Sequence, residues 1–283
     1  MGRLLYDLKQ VTDRDYTKLA RDSSAIGKSS FAFAWVMDST AEERSRGITV
    51  DIATNTFSTS TTDFTILDAP GHRDFIPNMI AGASQADFAV LVVDASTNAF
   101  EAGFGARGQT REHALLVRSM GIARVVVAVN KMDVTSPPWN RERFDEVKGQ
   151  MESFLIGAGF KAGNVSVVPV AGLTGENVTR QVEDEKAKWY QGRTLVEELD
   201  ASEPSIRAVA EPLRLTIGDV FRGGVTNPLS ISGRLDAGNV QVGDTILAMP
   251  AGETATVKAI DVDSEPADSV SYTHLTLPTK RIV

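Results

Sequence analysis

Cysteine is absent from all 283 residues. That excludes disulfides and thiolate metal centres, and it is what a cytoplasmic protein is expected to look like. Long apolar runs are missing as well. Apolar runs such as residues 88–93 and 125–129 are far short of the ~20 residues that a bilayer requires. The first seven residues already carry Arg3 and Asp7 and lack a secretory apolar segment. Position 6 is Tyr6, where a myristoylation signal has Ser or Thr. An excess of positive charge is lacking too: net charge is −8 and the pI is near 5.0. Bulk electrostatics therefore do not draw this chain to DNA, RNA or an anionic membrane, and contact with a nucleic-acid machine must come from local patches. No internal repeat or low-complexity tract is present.

What remains is ordinary globular composition, with a hydrophobic fraction of 42% over a length that allows one large or two ordinary domains. Three apolar runs, residues 64–67, 88–93 and 125–129, mostly do not alternate with polar residues. A fourth, 165–170, is interrupted by Ser166 and Pro169. Such runs suit strands buried on both faces of a parallel sheet. Between them, residues 74–85, 108–120 and 141–155 repeat apolar positions at helical spacing. Strand alternating with helix predicts an α/β fold: an open, mostly parallel sheet with helices on both faces. Residues 48–58 alternate and predict an edge-like strand, with a turn at 59–62 and a return along 63–68. The character changes near residue 200. Residues 200–211 read as a linker, followed by short strands at 213–220, 229–235, 245–249 and 254–262 punctuated by Gly, Asn-Pro and Asp turns. That pattern predicts a small β-barrel. Residues 270–283 continue neither pattern and are expected to be a non-native tail; a divergent last strand is the alternative.

In an open α/β sheet, ligands sit beyond the carboxyl ends of the strands. One such end reads Asp68-Ala69-Pro70-Gly71-His72. Its Asp suits Mg²⁺, a hard cation that keeps much of its water shell. Gly71 lets the backbone approach a terminal phosphate. On its own, Asp-x-x-Gly is equally a capped turn. Another strand end reads Asn130-Lys131-Met132-Asp133. A carboxylate there accepts from guanine's ring N–H and exocyclic amine, whereas adenine would leave it unpaired, a contrast worth about 10⁴–10⁵ in discrimination. Asn130 can tie the loop together, and the Lys131 stem can cover the base face. A polar strand cap is the plainer alternative for this tetrapeptide. Ala171-Gly172-Leu173 follows the last of these strands and offers a backbone N–H to the guanine carbonyl. Thr49, before the first strand, offers a hydroxyl to Mg²⁺. The order Thr49, Asp68-x-x-Gly71-His72, Asn130-Lys131-x-Asp133, Ala171-Gly172-Leu173 is specific where its members singly are not.

These motifs, with residues 42–53, 68–75 and 108–114, resemble the translational GTPases of the elongation factor 1-alpha class over residues 1–269. Residues 30–37, 76–87 and 89–95 are most similar to its ribosome-rescue branch, whose members partner pelota; elongation factor 1-alpha itself and the release-factor GTPase are the neighbouring alternatives. The resemblance implies a P-loop-type G domain and a GTPase that works with Mg²⁺ and GTP or GDP on the ribosome as a cytoplasmic monomer, in ribosome rescue and mRNA surveillance. It implies roles as well. Thr49 and Asp68 serve the metal, Gly71 senses the γ-phosphate, and His72 orients the attacking water as the catalytic residue. Asn130, Lys131, Asp133, Ala171, Gly172 and Leu173 surround guanine. The alternatives imply an aminoacyl-tRNA carrier, a release-factor partner or a non-catalytic binding module.

The sequence departs from the family at one point that matters. It contains no strand followed by Gly-x-x-x-x-Gly-Lys-Ser/Thr; Gly27-Lys28-Ser29 lacks the earlier glycine, position 22 being Asp22. Residues 1–206 are accordingly expected to form a G domain without its first strand and phosphate loop, and 207–269 a partial second-domain barrel. A chain of that kind is expected to bind GTP poorly and to leave two strand edges unpaired. Ala171 stands where relatives usually carry Ser, so a loop-steadying hydroxyl is lost.

Overall fold

The computed structural model describes all residues except 26, 28–31, 38–40, 47–48, 51, 84–85, 106–107, 184, 203–208, 224–226, 263–264, 272–273 and 282–283. It divides into two compact units, Met1–Glu203 and Pro204–Val283.

In chain order the first unit holds helices α1 (Gly2–Asp7), α2 (Asp13–Ala25) and α3 (Ala41–Arg46), then strands β1 (Ala53–Ser58) and β2 (Asp63–Asp68). Next come α4 (Ile76–Ala83), β3 (Ala89–Asp94), α5 (Ala99–Phe104), α6 (Gln109–Ser119) and β4 (Val125–Asn130). Helix α7 (Arg141–Gly157), β5 (Val165–Pro169) and α8 (Leu195–Asp200) complete it. Strands β3, β4 and β5 form a parallel sheet in that order, and β1 and β2 an antiparallel hairpin.

β4 explains the layering. Its residues Val125 to Val129 are all buried. Val125, Val127 and Val129 point into a core built with Phe100 and Phe104 of α5, Ala114 and Val117 of α6, and Phe144, Val147, Met151 and Leu155 of α7. Val126 and Ala128 point the other way, into a core with Leu4 and Leu5 of α1 and Leu195 and Leu199 of α8. A strand covered on both faces has no polar side, which is why the run does not alternate. The α7 stripe falls at steps of three and four, one face of a helix. Its start is fixed by Asn140, whose side chain accepts from the Arg143 N–H at 3.0 Å. α8 opens with a capping box between Thr194 and Glu197.

The strand and helix expectations hold in type and order, with differences at particular segments. The single open sheet is interrupted: among the described residues β2 pairs only with β1, and β3 only with β4. Val92 of β3 is 53% exposed because its side chain stands on a sheet face that is open at a cavity. The strand predicted from residue 48 begins at Ala53, with 47–48 outside the described residues. The helix predicted from residue 74 starts as a 3₁₀ turn over Arg73–Phe75, because His72 caps that turn before α4 begins. Helix α5 was not expected. Its sequence, AFEAGF, is short, and the stacked Phe100 and Phe104 pin it to the core at i and i+4. No helix among the described residues is long and apolar enough to cross a membrane.

The second unit is all β: β6 (Arg214–Gly223), β7 (Asn227–Ala237), β8 (Asn239–Gln241), β9 (Thr245–Ala248), β10 (Glu253–Val257), β11 (Ile260–Val262), β12 (Glu265–Ala267), β13 (Ser269–Ser271) and β14 (His274–Arg281). Ile231, Leu235, Val240, Val257 and Ile260 form its core. Gly233 lets β6 and β7 come together, since a Cβ there would lie 2.1 Å from the Thr216 carbonyl oxygen. The single strand expected over 254–262 is two, β10 and β11. The segment 270–283, read as outside both patterns, contributes to β13 and supplies β14, which pairs with β7, β10 and β11. Half of the expected linker over 200–211, residues 203–208, lies outside the described residues, and its first residue, Asp200, ends α8.

Two outcomes follow for the first unit. Leu155 is fully buried, so Leu155→Ala lowers unfolding free energy in urea by about 2–5 kcal/mol. Tyr190 packs on Phe144 and Trp189 and donates its hydroxyl to the Arg193 carbonyl at 2.9 Å. Burial, with the charges of Glu198 and Glu197, pushes its phenol up to about 12. The folded state thus holds that proton more tightly than an unfolded tyrosine, which titrates near 10. Its contribution is intact below pH ~10 and is lost as pH rises from there toward 12. Urea midpoints measured from pH 9 to 12 fall more steeply for the wild-type chain than for Tyr190→Phe.

Candidate functional site

A cavity of ≈ 340 Å³ opens in the first unit. Its wall takes Thr49 and Asp68 from either side of the β1–β2 hairpin, and Asn130 and Gly172 from the carboxyl ends of β4 and β5. Val90, Val92 and Ala128 supply apolar wall from the sheet, and Arg3 comes from α1. Four of the residues singled out in the sequence, more than 120 positions apart at the extremes, thus share one wall. His72, Lys131 and Asp133 are not among the lining residues.

The polar end at Asp68 is electrostatically unusual. Burial raises the pKa of its carboxyl; the Met1 amino group pulls the other way, and the Glu43 carboxylate adds to the rise. Glu43 is itself buried and accepts from the Val50 N–H at 3.0 Å, next to Thr49. A buried carboxylate with a second negative charge nearby and a hydroxyl on the same wall is a donor set of hard oxygens, which suits a divalent cation such as Mg²⁺.

Gly71 and His72 follow at the exposed end of β2. A Cβ on Gly71 would lie 4.0 Å from Cε1 of His113, so the imidazole of α6 stands beside this glycine. Burial holds His113 below the usual imidazole range, with Glu112 opposing. The His72 ring accepts from the Asp74 N–H at 3.3 Å through Nδ1, which leaves Nε2 free of that cap.

The end of β4 is tied down by its own side chain. Asn130 Oδ1 accepts the Gly172 N–H at 2.8 Å, and the backbone carbonyl of Asn130 accepts the Ala95 N–H at 2.9 Å. Gly172 approaches closely: a Cβ there would lie 3.1 Å from Asn130 Oδ1. Lys131 follows in the left-handed region with φ 65°, and Asp133 lies in the 3₁₀ turn Met132–Val134. Ala171 is fully buried; its N–H donates to the Glu176 carbonyl at 3.0 Å, and its own carbonyl accepts the Gly175 N–H at 2.8 Å. Backbone bonds therefore fix the loop at Ala171 without any side-chain polar group. Leu173 is exposed, and its carbonyl accepts from Arg3 of α1 at 3.1 Å.

Sequence reasoning missed several residues around this site. Arg3 carried no motif, and Glu43 lay in a segment, 42–53, that carried the resemblance without being given a role of its own. Asp94 is different: it ends β3, and the strand-end rule that selected Asp68 and Asn130 also reaches it. Its carboxylate meets Lys131 at 2.6 Å.

Replacing Asn130 by Ala strands the Gly172 N–H without its acceptor, at a cost of about 1–3 kcal/mol. Hydrogen exchange at the Gly172 amide then accelerates while amides of β4 keep their protection.

Comparison with known proteins bears on these positions. The family model described as Elongation factor Tu GTP binding domain matches residues 1–205. The chain is 45% identical over 270 residues to the elongation factor 1 alpha-like protein of Schizosaccharomyces pombe, a match covering 95% of this chain and 45% of that protein. It is 44% identical over 271 residues to Protein HBS1 of Drosophila melanogaster, covering 95% and 40%. The crystal structure of sup35 complexed with GDP is similar at a TM-score of 0.53 and 30% identity, over 99% of this chain and 59% of that one. The chain spans less than half the length of these two relatives.

Proposed function

Because the chain belongs to the family of the elongation factor Tu GTP binding domain, we propose that its cavity takes a guanine nucleotide and that the intact protein hydrolyses GTP in translation. The observation that carries this reading is the shared wall, on which Thr49 and Asp68 meet Asn130 and Gly172. A nucleotide needs a cation site for its phosphates and a polar edge for its base, and the residues read for these two tasks meet on this wall; the phosphate loop that the sequence lacks has no counterpart on it. The GDP complex of sup35 adds support.

In this reading Asp133 accepts from the guanine ring N–H and amine, and Asn130 keeps the neighbouring loop in place through Gly172. Ala171, Gly172 and Leu173 present backbone to the guanine carbonyl, and the Lys131 stem covers the base. Thr49 and Asp68 would hold Mg²⁺, which would supply neutralisation of phosphate charge. Gly71 donates its N–H toward the γ-phosphate. His72 orients the attacking water when the ribosome brings it into place. Phosphoryl transfer asks for positioning and charge stabilisation more than covalent chemistry, so no further nucleophile is required. The segments that carry Thr49 and Gly71 order around the γ-phosphate and relax after hydrolysis.

The biological setting is ribosome rescue in the cytoplasm, with a pelota-type partner. The identity to Protein HBS1 and the resemblance of residues 30–37, 76–87 and 89–95 favour it. A second reading, as an elongation or release-factor GTPase with tRNA or a release factor as partner, is favoured by the likeness to the elongation factor 1 alpha-like protein and to sup35.

Equilibrium binding of fluorescent GDP to the intact protein with Mg²⁺ tests the nucleotide. GTP displaces it and ATP does not; equal displacement by ATP sinks the proposal. Asp133→Asn weakens GDP by about 10²-fold or more and favours xanthosine diphosphate, whose C2 carbonyl accepts from the new amide. Ribosome-stimulated hydrolysis drops by about 10²-fold or more in His72→Ala while GDP affinity is kept. Stimulation by a pelota-type factor, but not by aminoacyl-tRNA, separates the two biological readings.

A further inference from the structure

We propose that Asp94 is a positioning residue for nucleotide residence: its carboxylate holds the Lys131 ammonium so that the lysine stem lies set across the base. This deepens the guanine-nucleotide reading above and rests on it. Asp94 is the last residue of β3 and stands opposite Asn130 in the parallel ladder, beside the base-reading turn. Lys131 Nζ donates to Asp94 Oδ2 at 2.6 Å. The lysine backbone sits at φ 65°, a region that non-glycine residues enter at a cost, so its side chain is launched from a fixed and strained position.

The carboxylate is itself held. Its Oδ1 accepts both the N–H of Ser96, at 2.9 Å, and the Ser96 hydroxyl. Arg143 of α7 then fixes the turn that carries Ser96, donating from Nε to the Ala95 carbonyl at 3.0 Å and from Nη2 to the Ser96 carbonyl at 3.3 Å. Glu101 and Glu146 hold the guanidinium from the other side at 2.7 and 2.8 Å. Burial works to raise the Asp94 pKa, but the bonds from Lys131 and Ser96 together outweigh it and keep the group below the usual carboxylate range. Asp94 is therefore ionised at neutral pH.

An isolated surface ion pair is worth little, because holding two long side chains costs entropy. Here one partner is already immobile. The side chain of Lys131 is 53% exposed and that of Asp94 30%, so water surrounds the ammonium while the carboxylate is locked from behind. Lysine carries one of the largest rotamer entropies, and ordering it before the base arrives removes that cost from binding. The effect falls on dissociation, where preorganised contacts are usually felt.

The test uses the intact protein with Mg²⁺. Dissociation of N-methylanthraniloyl-GDP is followed by stopped flow after a chase of unlabelled GDP, for the wild type, Asp94→Asn, Lys131→Ala and the double variant. Asp94→Asn keeps an acceptor for Ser96 and loses the charge; it speeds dissociation by about three- to tenfold. The double variant dissociates no faster than Lys131→Ala alone, because Asp94 acts through the lysine. The inosine analogue, which lacks the exocyclic amine, is accelerated by the same factor as the guanosine one, since the stem touches the base face and not its edge. The thermal midpoint of the nucleotide-free protein stays put. An unchanged rate in Asp94→Asn overturns the proposal, as do additive effects in the double variant or a midpoint that falls in parallel; each leaves the nucleotide reading standing. A wild type that binds no guanine nucleotide overturns both.

Discussion

The first unit depends on the burial of β4 on both faces. Val125, Val126, Val127 and Val129 are each withdrawn almost wholly from water, and each contributes about 1.5–3 kcal/mol of hydrophobic stabilisation. Such a strand needs helices on both sides, and α5, α6 and α7 on one face and α1 and α8 on the other provide them. It also needs neighbours for its backbone, and β3 and β5 pair with it in parallel register. Parallel pairing is what makes the three carboxyl ends emerge together, so Asp94, Asn130 and the loop after Pro169 become neighbours without any loop having to search for another.

From that shared edge the site is built with short hydrogen bonds. Asn130 caps the adjacent loop at Gly172, Ser96 orients Asp94, and Arg143 reaches across from α7 to lock the turn between them. Each bond joins one strand end to another element, and together they make the polar edge rigid before a ligand arrives. Preorganisation of this kind is what discrimination between purine bases requires, because a donor or acceptor that can relax away does not penalise the wrong partner.

The opposite side of the cavity follows a different logic. Around Asp68 and Glu43 the fold brings negative charge into a partly buried place, which raises the Asp68 pKa instead of relieving it. A carboxylate so placed is stabilised by a cation far more than an exposed one is. The same fold thus makes one edge that is satisfied by its own hydrogen bonds and another where a buried carboxyl stands under the influence of a second acidic group.

Much of this was legible in the sequence. The unbroken valine run at 125–129 announced a doubly buried strand, whereas 64–67, read the same way, is a half-exposed strand of an antiparallel hairpin and 88–93 leaves Val92 exposed. The polar residues at and just beyond strand ends, Asp68, Asn130 and Asp133, stood out because they interrupt apolar runs. The second unit's turns were readable for the same local reason: Gly, Asn and Asp allow backbone angles that other residues resist. What the sequence did not carry was anything decided between elements. The short helix at 99–104 exists because Phe100 and Phe104 find a core to stack in. The interruption between β2 and β3 is a matter of which ladders form, and residues 274–281 have no strand-like pattern yet are placed by their pairing with β7, β10 and β11. Asp94 looked like the end of one strand until the parallel register set it against Asn130 and the left-handed Lys131 swung toward it. The sequence by itself determined the periodicities and the chemistry at strand ends, because those depend on neighbours a few residues apart. Only the tertiary structure decided which ends share a cavity and which charges face each other, because those distances are set by packing between segments far apart in the chain.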